Sequence, residues 1–172
     1  MNDGERASLL SVARNSIRAH LSGSPPPPVP PTAPAAAFVT LRVDKELRGC
    51  IGFTTAADPL AETVRDAAIR AATADSRFDP VRLEELDAVH IEISVLSPMT
   101  RARAEDVVVG THGLYVRRAG HAGLLLPQVA DEWKMDREAF LAAVCRKAEL
   151  PPDAWRRPDA ELSIFTAEVF GE

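Results

Sequence analysis

The fold prediction for this chain starts from the segment Leu47-Arg48-Gly49-Cys50-Ile51-Gly52. Glycines stand on both sides of the Cys50-Ile51 pair. Because glycine has no Cβ, another backbone or a ligand can approach the main chain closely there. Side chains alternate along an extended strand, so Arg48 and Cys50 are expected on one face. A neighbouring guanidinium favours the thiolate form of a cysteine. The segment therefore predicts a site centred on Cys50, with Arg48, Gly49 and Gly52 as binding residues.

The same segment is predicted to be the second strand of a hairpin. Phe38-Val39-Thr40-Leu41-Arg42-Val43 has the β-branched and aromatic composition of a strand, and Asp44-Lys45-Glu46 is predicted to be the turn. A helix is then predicted from Asp58-Pro59, with the aspartate as N-cap and the proline at the first helical position, as far as the segment 75–80. Its apolar stripe contains Leu60, Val64, Ala68 and Ala72.

Periodicity and capping signals predict the other elements of the chain. They are a helix over 3–22 with Asp3 as N-cap, a hairpin of strands 113–118 and 123–126 joined by 119–122, and a strand-like tail over 162–170. An alternating strand is predicted over 89–96, with Val89, Ile91, Ile93 and Val95 inward. A helix is predicted after the N-cap Asp136, with an apolar stripe of Phe140, Leu141, Val144, Cys145 and Ala148. The proline-rich segment 23–35 is predicted to be a polyproline-type connector, because proline fixes φ and removes an amide donor. Helices and hairpins without a strict βαβ alternation predict an α+β fold with an antiparallel or mixed sheet. One domain is predicted over 1–172, with its core in residues 36–172.

Composition and charge restrict the classes of function. The 172 residues include 20 Lys and Arg against 25 Asp and Glu, a formal charge of −5. Nonspecific nucleic-acid binding needs a basic surface, so the acidic balance argues against it. No apolar run has the length needed to span a bilayer, and the N-terminus lacks the features of a secretory signal. Two cysteines far apart in sequence do not suggest a disulfide framework, so a reducing cytoplasm is the predicted location.

Cys50 is either a reactive or ligating thiol or a small, half-buried structural residue, and both interpretations stay open. Nucleophilic chemistry would also need a base, and His112 in the loop Gly110-Thr111-His112-Gly113 is the candidate. Cys145 lies on the apolar stripe of its helix and is predicted to be a buried, inert thiol. The chain has no close-spaced ligand pair of the CxxC or HxxxH type, so no metal site is predicted and no cofactor is named.

Arg77 lies between Asp75 and Asp79, and its simplest role is to form local ion pairs that close the preceding helix. A guanidinium also offers bidentate geometry to a carboxylate or a phosphate. Arg77 is therefore a further binding candidate, as an anion anchor. Trp133 and Trp155 are predicted to be packing residues near helix ends.

Motifs along nearly the whole chain occur in an order that resembles the AMMECR domain family. Besides the 47–52 segment they include Asp75-Ser76-Arg77-Phe78-Asp79-Pro80-Val81, Ile93-Ser94-Val95-Leu96, Leu125-Leu126-Pro127-Gln128-Val129-Ala130 and Cys145-Arg146-Lys147-Ala148. The family also includes protein A of the AmmeMemoRadiSam system. The resemblance implies two unequal lobes, with the cysteine segment near the cleft between them. The chain departs from the family in its longer proline run and in Glu149, which stands where a glycine commonly follows Lys-Ala.

Three functions are hypotheses at this level. The first is a cleft that binds a small molecule or a peptide, with Cys50 supplying thiol-dependent chemistry. The second is a noncatalytic partner of a Memo-type protein and a radical-SAM enzyme, which are the partners that the resemblance implies. The third, association with nucleic acid, has little support from an acidic chain. Whether the chain is an enzyme stays open.

Overall fold

The computed structural model describes residues 1–172, which form two compact units. The first unit contains Met1–Leu96 and Glu168–Glu172, and the second contains Ser97–Ala167. Each unit has its own four-stranded sheet and its own apolar core. The predicted α+β fold is confirmed. No helix combines the length and the apolar character needed to cross a membrane.

The helices and strands have the following bounds, in chain order. The α-helices are α1 (Asp3–Leu21), α2 (Leu60–Thr73), α3 (Pro127–Glu132) and α4 (Arg137–Lys147). The strands are β1 (Ala37–Val43), β2 (Glu46–Phe53), β3 (His90–Leu96), β4 (Thr100–Arg101), β5 (Gly113–Arg118), β6 (His121–Leu125), β7 (Glu161–Phe165) and β8 (Ala167–Gly171). Short 3₁₀ turns cover Leu83–Ala88, Ala104–Asp106 and Ala154–Arg156.

The first unit packs helices on one face of a sheet with the strand order β2-β1-β3-β8. β1 is an inner strand and pairs antiparallel with both β2 and β3. Val39 and Leu41 of β1 and Ile91 and Ile93 of β3 are buried in one core with the apolar stripes of α1 and α2. The inward residues predicted for the strand at 89–96 therefore do face the core. The period of two appears because helices cover only one face of the sheet.

The turn between β1 and β2 is shorter than the sequence predicts. Asp44 and Lys45 form a two-residue loop, and Glu46 already belongs to β2. Both loop residues have positive φ, 50° and 71°. Positive φ at both positions is the requirement of a type I′ turn, whose twist matches that of the paired strands. Neither residue is glycine, so the residue types did not indicate this turn.

The first turn of α2 is capped by the proline-rich connector, and the predicted N-cap role of Asp58 is wrong. No side chain at the helix N-cap makes a capping hydrogen bond. Instead, the Leu60 amide donates to the carbonyl of Ala33 (3.0 Å) and the Ala61 amide donates to Oγ1 of Thr32 (2.9 Å). The connector thus satisfies amides that a helix N-terminus leaves without partners.

The N-caps of the two other long helices follow local rules. Asn2, not the predicted Asp3, caps α1: its side chain accepts from the Glu5 amide (2.9 Å), and the Glu5 carboxylate accepts from the Asn2 amide (2.8 Å). This reciprocal pair is a capping box. The predicted cap of α4 is confirmed, since Asp136 accepts from the amide of Ala139 (2.8 Å).

The second unit has a sheet with the order β4-β7-β5-β6, antiparallel in every pair. Phe140, Leu141 and Val144 of α4 are fully buried in its core, as the apolar stripe predicts. The turn between β5 and β6 consists of Ala119 and Gly120 alone, both with positive φ. The longer turn predicted over 119–122 is therefore wrong, because pairing in β6 already begins at the residue after Gly120.

The strand predicted for the tail is two strands that belong to different sheets. β7 ends at Phe165 and pairs with β4 and β5, whereas β8 begins at Ala167 and lies next to β3. Thr166 separates them, and its amide donates to Oγ of Ser97 (2.9 Å). Residues on both sides of Thr166 have strand composition, so no local signal marks the break.

Glu149 lies just past the end of α4 in the left-handed conformation, with φ 59°. Its amide donates to the carbonyl of Arg146 (3.0 Å), and the Leu150 amide donates to the carbonyl of Cys145 (2.9 Å). These two bonds form a Schellman motif, which usually has glycine at this position. The departure from the family glycine therefore places a Cβ where the backbone disfavours it.

We expect Glu149→Gly to raise the free energy of unfolding by about 1 kcal/mol, because glycine removes the left-handed strain. Glu149→Ala is the matched control, since alanine keeps the Cβ and should give no gain. Both variants lose the weak 3.9 Å contact with His121, so the comparison isolates the strain. Urea unfolding at pH 7 measures both. Equal effects of the two substitutions would contradict this explanation.

Candidate functional site

Cys50 lies half-buried in β2, and both of its backbone groups and its sulfur have partners. Its amide donates to Oδ2 of Asp75 (2.9 Å), and its carbonyl accepts from Nη2 of Arg77 at 3.5 Å. Its Sγ accepts a hydrogen bond from Oγ1 of Thr40 (3.3 Å). β2 is an edge strand, so Asp75 and Arg77 occupy positions that a further strand would use.

Thr40 lies directly opposite Cys50 in the β1–β2 register and directly opposite Glu92 in the β1–β3 register. The three residues form a row across three strands on one sheet face. The neighbouring residues Val39 and Ile93 point into the helix-covered core. Only 6% of Thr40 is exposed, so its hydroxyl is held against the sulfur by the sheet around it.

Asp75 is the buried acceptor that joins this strand to the turn after α2. Its side chain is 6% exposed and accepts four hydrogen bonds. They come from the Cys50 amide (2.9 Å), the Arg77 amide (3.2 Å), Arg77 Nε (2.9 Å) and Arg77 Nη2 (2.7 Å). The Arg77 guanidinium above all, together with these amides, holds the pKa of the Asp75 carboxyl well below its usual range, although desolvation opposes the shift. The carboxylate is therefore ionised at neutral pH.

Arg77 presents part of its guanidinium outward. Its Nε and Nη2 bind Asp75 in a fork, while Nη1 has no hydrogen-bond partner in the chain. The side chain is 53% exposed, and its guanidinium carbon lies 5.4 Å from the centroid of the Phe78 ring. The predicted local ion pair of Arg77 is confirmed with Asp75. The role of Arg77 as an anion anchor stays a prediction.

The Arg48 guanidinium contacts the segment 79–85. Arg48 is the extra residue of a β-bulge, because Leu41 pairs with Gly49 and Arg42 pairs with Leu47. The bulge interrupts the regular alternation from which the facing of Arg48 and Cys50 was predicted. The Arg48 guanidinium binds Glu85 through Nε (2.9 Å) and Nη2 (2.7 Å), and it also donates to the carbonyls of residues 79 and 80.

Gly49 and Gly52 each make a close approach to protein atoms. A Cβ on Gly49 would lie 2.1 Å from the carbonyl oxygen of Ala71 in α2. A Cβ on Gly52 would lie 2.3 Å from the ring of Phe38 on β1. Packing within the first unit therefore explains why both positions hold glycine. Their predicted contact with a ligand is not needed to explain them, and it stays a prediction.

His112 lies in the second unit, in the turn between the 3₁₀ turn at Ala104–Asp106 and β5. The amide of Val108 donates to its Nδ1 (3.1 Å). An Nδ1 that accepts a hydrogen bond leaves the ring hydrogen of neutral histidine on Nε2. In this tautomer the ring presents a donor, and acting as a base requires the Val108 bond to break. Its pairing with Cys50 stays a prediction.

Cys145 is fully buried, and burial raises the pKa of its thiol. The predicted buried position is confirmed, and a thiol held neutral in this way is a poor nucleophile. No group of three His, Cys, Asp or Glu side chains in the structure could hold a metal ion. Of the two tryptophans, Trp155 is half-buried and stacks on Arg156 at 4.5 Å. The packing role predicted for Trp133 is wrong, because its side chain is mostly exposed.

The first unit has a groove of about 680 Å³ between the start of α1 and the proline-rich connector. Its lining includes Leu9, Pro30, Pro34 and Leu60. None of its lining residues belongs to the segment 47–52 or to the 75–77 turn, so this groove is separate from the surroundings of Cys50.

Sequence reasoning missed two residues of the Cys50 site. Thr40 was assigned only to a strand, although its position opposite Cys50 follows once the hairpin register is known. Asp75 was assigned only to a local pair with Arg77, and its bond to the Cys50 amide joins residues 25 apart. No signal in the local sequence indicates that bond.

Comparison with known proteins agrees with the motifs. A model of the AMMECR1 family matches residues 10–170. A protein of Methanothermobacter thermautotrophicus is 42% identical in an alignment 181 positions long, which covers 98% of this chain and 94% of that protein. A protein of Methanopyrus kandleri is 44% identical in an alignment 179 positions long, which covers 95% of this chain and 86% of that protein. The crystal structure of an uncharacterized protein from Pyrococcus horikoshii is similar, with a TM-score of 0.88, 42% identity, and coverage of 95% of this chain and 89% of that one. The chain therefore belongs to the AMMECR1 family.

Proposed function

We propose that this chain binds an anionic small molecule or peptide beside Cys50. Arg77 is the anion anchor in this proposal, and the Cys50 thiol is the reactive or ligating group. The main observation behind the proposal is that only part of the Arg77 guanidinium is bound within the chain. Its Nε and Nη2 bind Asp75, whereas Nη1 has no partner and the side chain is half exposed. An anion can therefore bind Nη1 without breaking the pair that orients the guanidinium.

The charge of Arg77 supports this role. The Asp75 carboxylate, mainly through its hydrogen bonds, raises the pKa of the Arg77 guanidinium, although desolvation opposes the shift. The guanidinium is thus permanently charged, and its Nη2 lies 3.5 Å from the carbonyl oxygen of Cys50. A carboxylate or a phosphate held by Nη1 would lie beside the residue that carries the sulfur.

Thr40 supports chemistry at the sulfur. Its hydroxyl donates to Sγ at 3.3 Å and so holds the sulfur in place, and the thiolate of a cysteine is its nucleophilic and ligating form. When such a thiolate attacks an electrophilic carbon, an S–C bond forms and the leaving group departs with the electron pair of its own bond. The proposed function is therefore thiol-dependent binding of an anionic molecule.

Charge-selective alkylation tests the proposal. Native protein is treated with anionic iodoacetate or with neutral iodoacetamide, and mass spectrometry of the Cys50 peptide gives the two rate constants. We expect Arg77→Gln to lower the ratio of the iodoacetate rate to the iodoacetamide rate about fivefold, because one nearby positive charge no longer attracts the anion. The buried Cys145 should stay unmodified and serves as an internal check for unfolding.

Arg82→Gln is the matched control for this experiment. Arg82 is an arginine of the same unit with a mostly exposed side chain, 3.5 Å from Glu85. Its replacement removes the same charge and should leave the ratio of rates unchanged. An unchanged ratio in Arg77→Gln would refute the role of Arg77 as an anchor. A Cys50 thiol that neither reagent modifies in the folded protein would refute the proposal as a whole.

We also propose, from family membership, that the chain associates with a Memo-type protein and a radical-SAM enzyme. The support is the family resemblance, which extends over nearly the whole chain and implies these partners. The association is tested by mixing the purified chain with each partner at micromolar concentration and asking whether the two proteins co-purify as a complex. Failure to form a complex with either protein would count against it, and it would leave the alkylation result unaffected.

A further inference from the structure

The outer edge of β2 carries backbone groups that no other strand uses. β2 pairs only with β1, and its register is regular over 49–53. In an antiparallel pair, the backbone groups of every second residue point away from the partner strand. Those of Cys50 point outward, because its amide binds Asp75 and its carbonyl accepts from Arg77. The amide and the carbonyl of Gly52, two residues further along the strand, therefore point outward as well.

The hydrogen bonds on the other side of β1 agree with this alternation. The Leu96 amide donates to the carbonyl of Ala36 (2.9 Å), so the backbone groups of alternate residues counted from Ala36 face β3. Phe38 is one of these residues, and it is the one that lies opposite Gly52 in β2. Its backbone groups are thus turned away from Gly52. Gly52 is partly exposed, and neither of its backbone groups has a hydrogen-bond partner in the chain.

Asp75 and Arg77 block the next pairing position along this edge. A chain that paired with Gly52 and continued past Cys50 would meet the Asp75 carboxylate, which already accepts from the Cys50 amide. Pairing positions on one edge are two residues apart, which is about 7 Å. A chain that ends one residue beyond the one opposite Gly52 therefore fits, and its terminus reaches the Arg77 guanidinium. Nη1 of Arg77 has no partner, so a negatively charged terminus is favoured.

We propose that the edge of β2 at Gly52 binds the C-terminal end of an extended peptide, an inference that rests on the anchor role of Arg77 in the proposed function. The penultimate residue of the peptide pairs with Gly52: each of the two residues donates its N–H to the carbonyl of the other. The carboxylate of the last residue accepts from Nη1 of Arg77. The peptide runs antiparallel to β2, because a parallel peptide would carry its carboxylate away from Arg77.

The Phe38 ring determines which side chain suits the penultimate position. A Cβ on Gly52 would lie 2.3 Å from this ring, so the ring covers Gly52 on the sheet face that also carries Thr40 and Cys50. Residues directly opposite in an antiparallel pair place their side chains on the same face. The penultimate side chain of the peptide therefore lies beside the half-buried Phe38. An apolar side chain such as that of valine is favoured there.

Titration of the ¹⁵N-labelled whole chain tests the proposal, with the amide signal of Gly52 as the readout. The probe is the peptide acetyl-Thr-Thr-Val-Ala with a free C-terminal carboxylate. We expect a saturable downfield shift of the Gly52 amide proton with a Kd of about 1 mM, because one residue pair and one charge-assisted contact form. The same peptide with a C-terminal amide should bind about tenfold more weakly, because it has no charge to offer Arg77.

Two N-methylated peptides separate strand pairing from binding of the anion alone. Methylation of the valine nitrogen removes the N–H that donates to the Gly52 carbonyl, and it should weaken binding about fivefold. Methylation of the preceding threonine nitrogen is the control and should leave the affinity unchanged, because that N–H points away from β2. Equal affinities of the two methylated peptides would overturn the pairing. Acetate that binds as tightly as the peptide would also overturn it, and the anchor role of Arg77 would stand.

Arginine variants test the carboxylate contact. Arg77→Gln should weaken the carboxylate peptide about tenfold and leave the amide peptide unchanged. Arg82→Gln removes an arginine with a mostly exposed side chain and should change neither affinity. A Gly52 signal that does not move with the peptide, or equal affinities for the two termini, would overturn the proposal. Charge-selective alkylation of Cys50 needs no peptide, so its result distinguishes a failure of peptide binding from a failure of the proposed function.

Discussion

Gly49→Ala is expected to lower the free energy of unfolding of the chain by about 3 kcal/mol or more. The new Cβ would lie 2.1 Å from the carbonyl oxygen of Ala71 and 3.1 Å from its carbonyl carbon. Both are backbone atoms of α2, so no side-chain rotation relieves the clash. β2 and α2 must separate, and the buried contacts between them weaken.

Gly4→Ala is the control that isolates the clash. Gly4 is inside α1, and its Cβ would meet only Oδ1 of Asn2 at an ordinary 3.4 Å. Alanine there should stabilise the chain by about 0.5–1 kcal/mol, because it removes the entropic cost of glycine in a helix. Urea unfolding followed by far-UV circular dichroism measures both variants. A tolerated alanine at Gly49 would show that β2 and α2 pack less closely than the structure indicates.

Asp75→Asn is expected to cost about 2 kcal/mol of stability at pH 7. Asparagine still offers an acceptor to the Cys50 amide, but the acceptor is now neutral. Its amino group replaces one of the carboxylate oxygens that bind Arg77, and a donor then faces the guanidinium. Breaking a buried charged pair usually costs more, but Arg77 is half exposed and water partly replaces its lost partner. Asp79→Asn is the control, because the exposed Asp79 side chain makes no hydrogen bond or ion pair.

The acid dependence of the Asp75 contribution has a defined sign. Its pKa in the folded state lies well below 3.8, its usual value. Well above pH 3.8 the carboxyl is ionised in both the folded and the unfolded chain, so the full stabilisation is present. As the pH falls below 3.8 the unfolded chain takes up the proton first, and stability is lost until the folded carboxyl is protonated too. The difference in unfolding free energy between wild type and Asp75→Asn should therefore shrink by about 1 kcal/mol between pH 7 and pH 3.

Urea unfolding of both proteins at pH 7, 5 and 3 checks this dependence. The difference should be constant between pH 7 and pH 5 and smaller at pH 3. A difference that stays the same at pH 3 would mean that Asp75 does not stabilise the fold through its charge. The rate of Cys50 alkylation in the same variant reports whether the hydrogen bond from the Cys50 amide to Asp75 also positions the sulfur.

Local patterns predicted the elements whose signals lie within a few residues. The alternation over 89–96, the apolar stripe of α4 and the Asp136 cap are each set by neighbours in sequence, and the structure confirms them. The turn lengths were predicted less well. The hairpin turns at 44–45 and 119–120 are short because strand pairing continues up to the loop, and pairing is not visible in the residue types of the turn.

The features of the candidate site were likewise predicted only in part. The ion pair of Arg77 with Asp75 followed from nearby residues and is confirmed. The choice of the 47–52 segment as a candidate site came from nearby residues and from the family resemblance, and it stays a prediction. The bulge that turns Arg48 toward Glu85 did not, since a bulge depends on the register of two strands. The exposure of Trp133 was also missed, because an aromatic residue after a short helix is usually buried by whatever packs there, and here nothing does.

Residues close together in the chain therefore established the family, the α+β class and most helices and strands, because hydrogen bonds and periodicities within an element depend on neighbours. Contacts between distant segments decided the rest: the cap that Thr32 and Ala33 provide for α2, the division of the tail at Thr166 between two sheets, and the bond from Asp75 to the Cys50 amide. Each of these contacts joins groups that only a folded chain brings within hydrogen-bond distance. No local pattern of hydrophobic or turn residues therefore predicts these contacts.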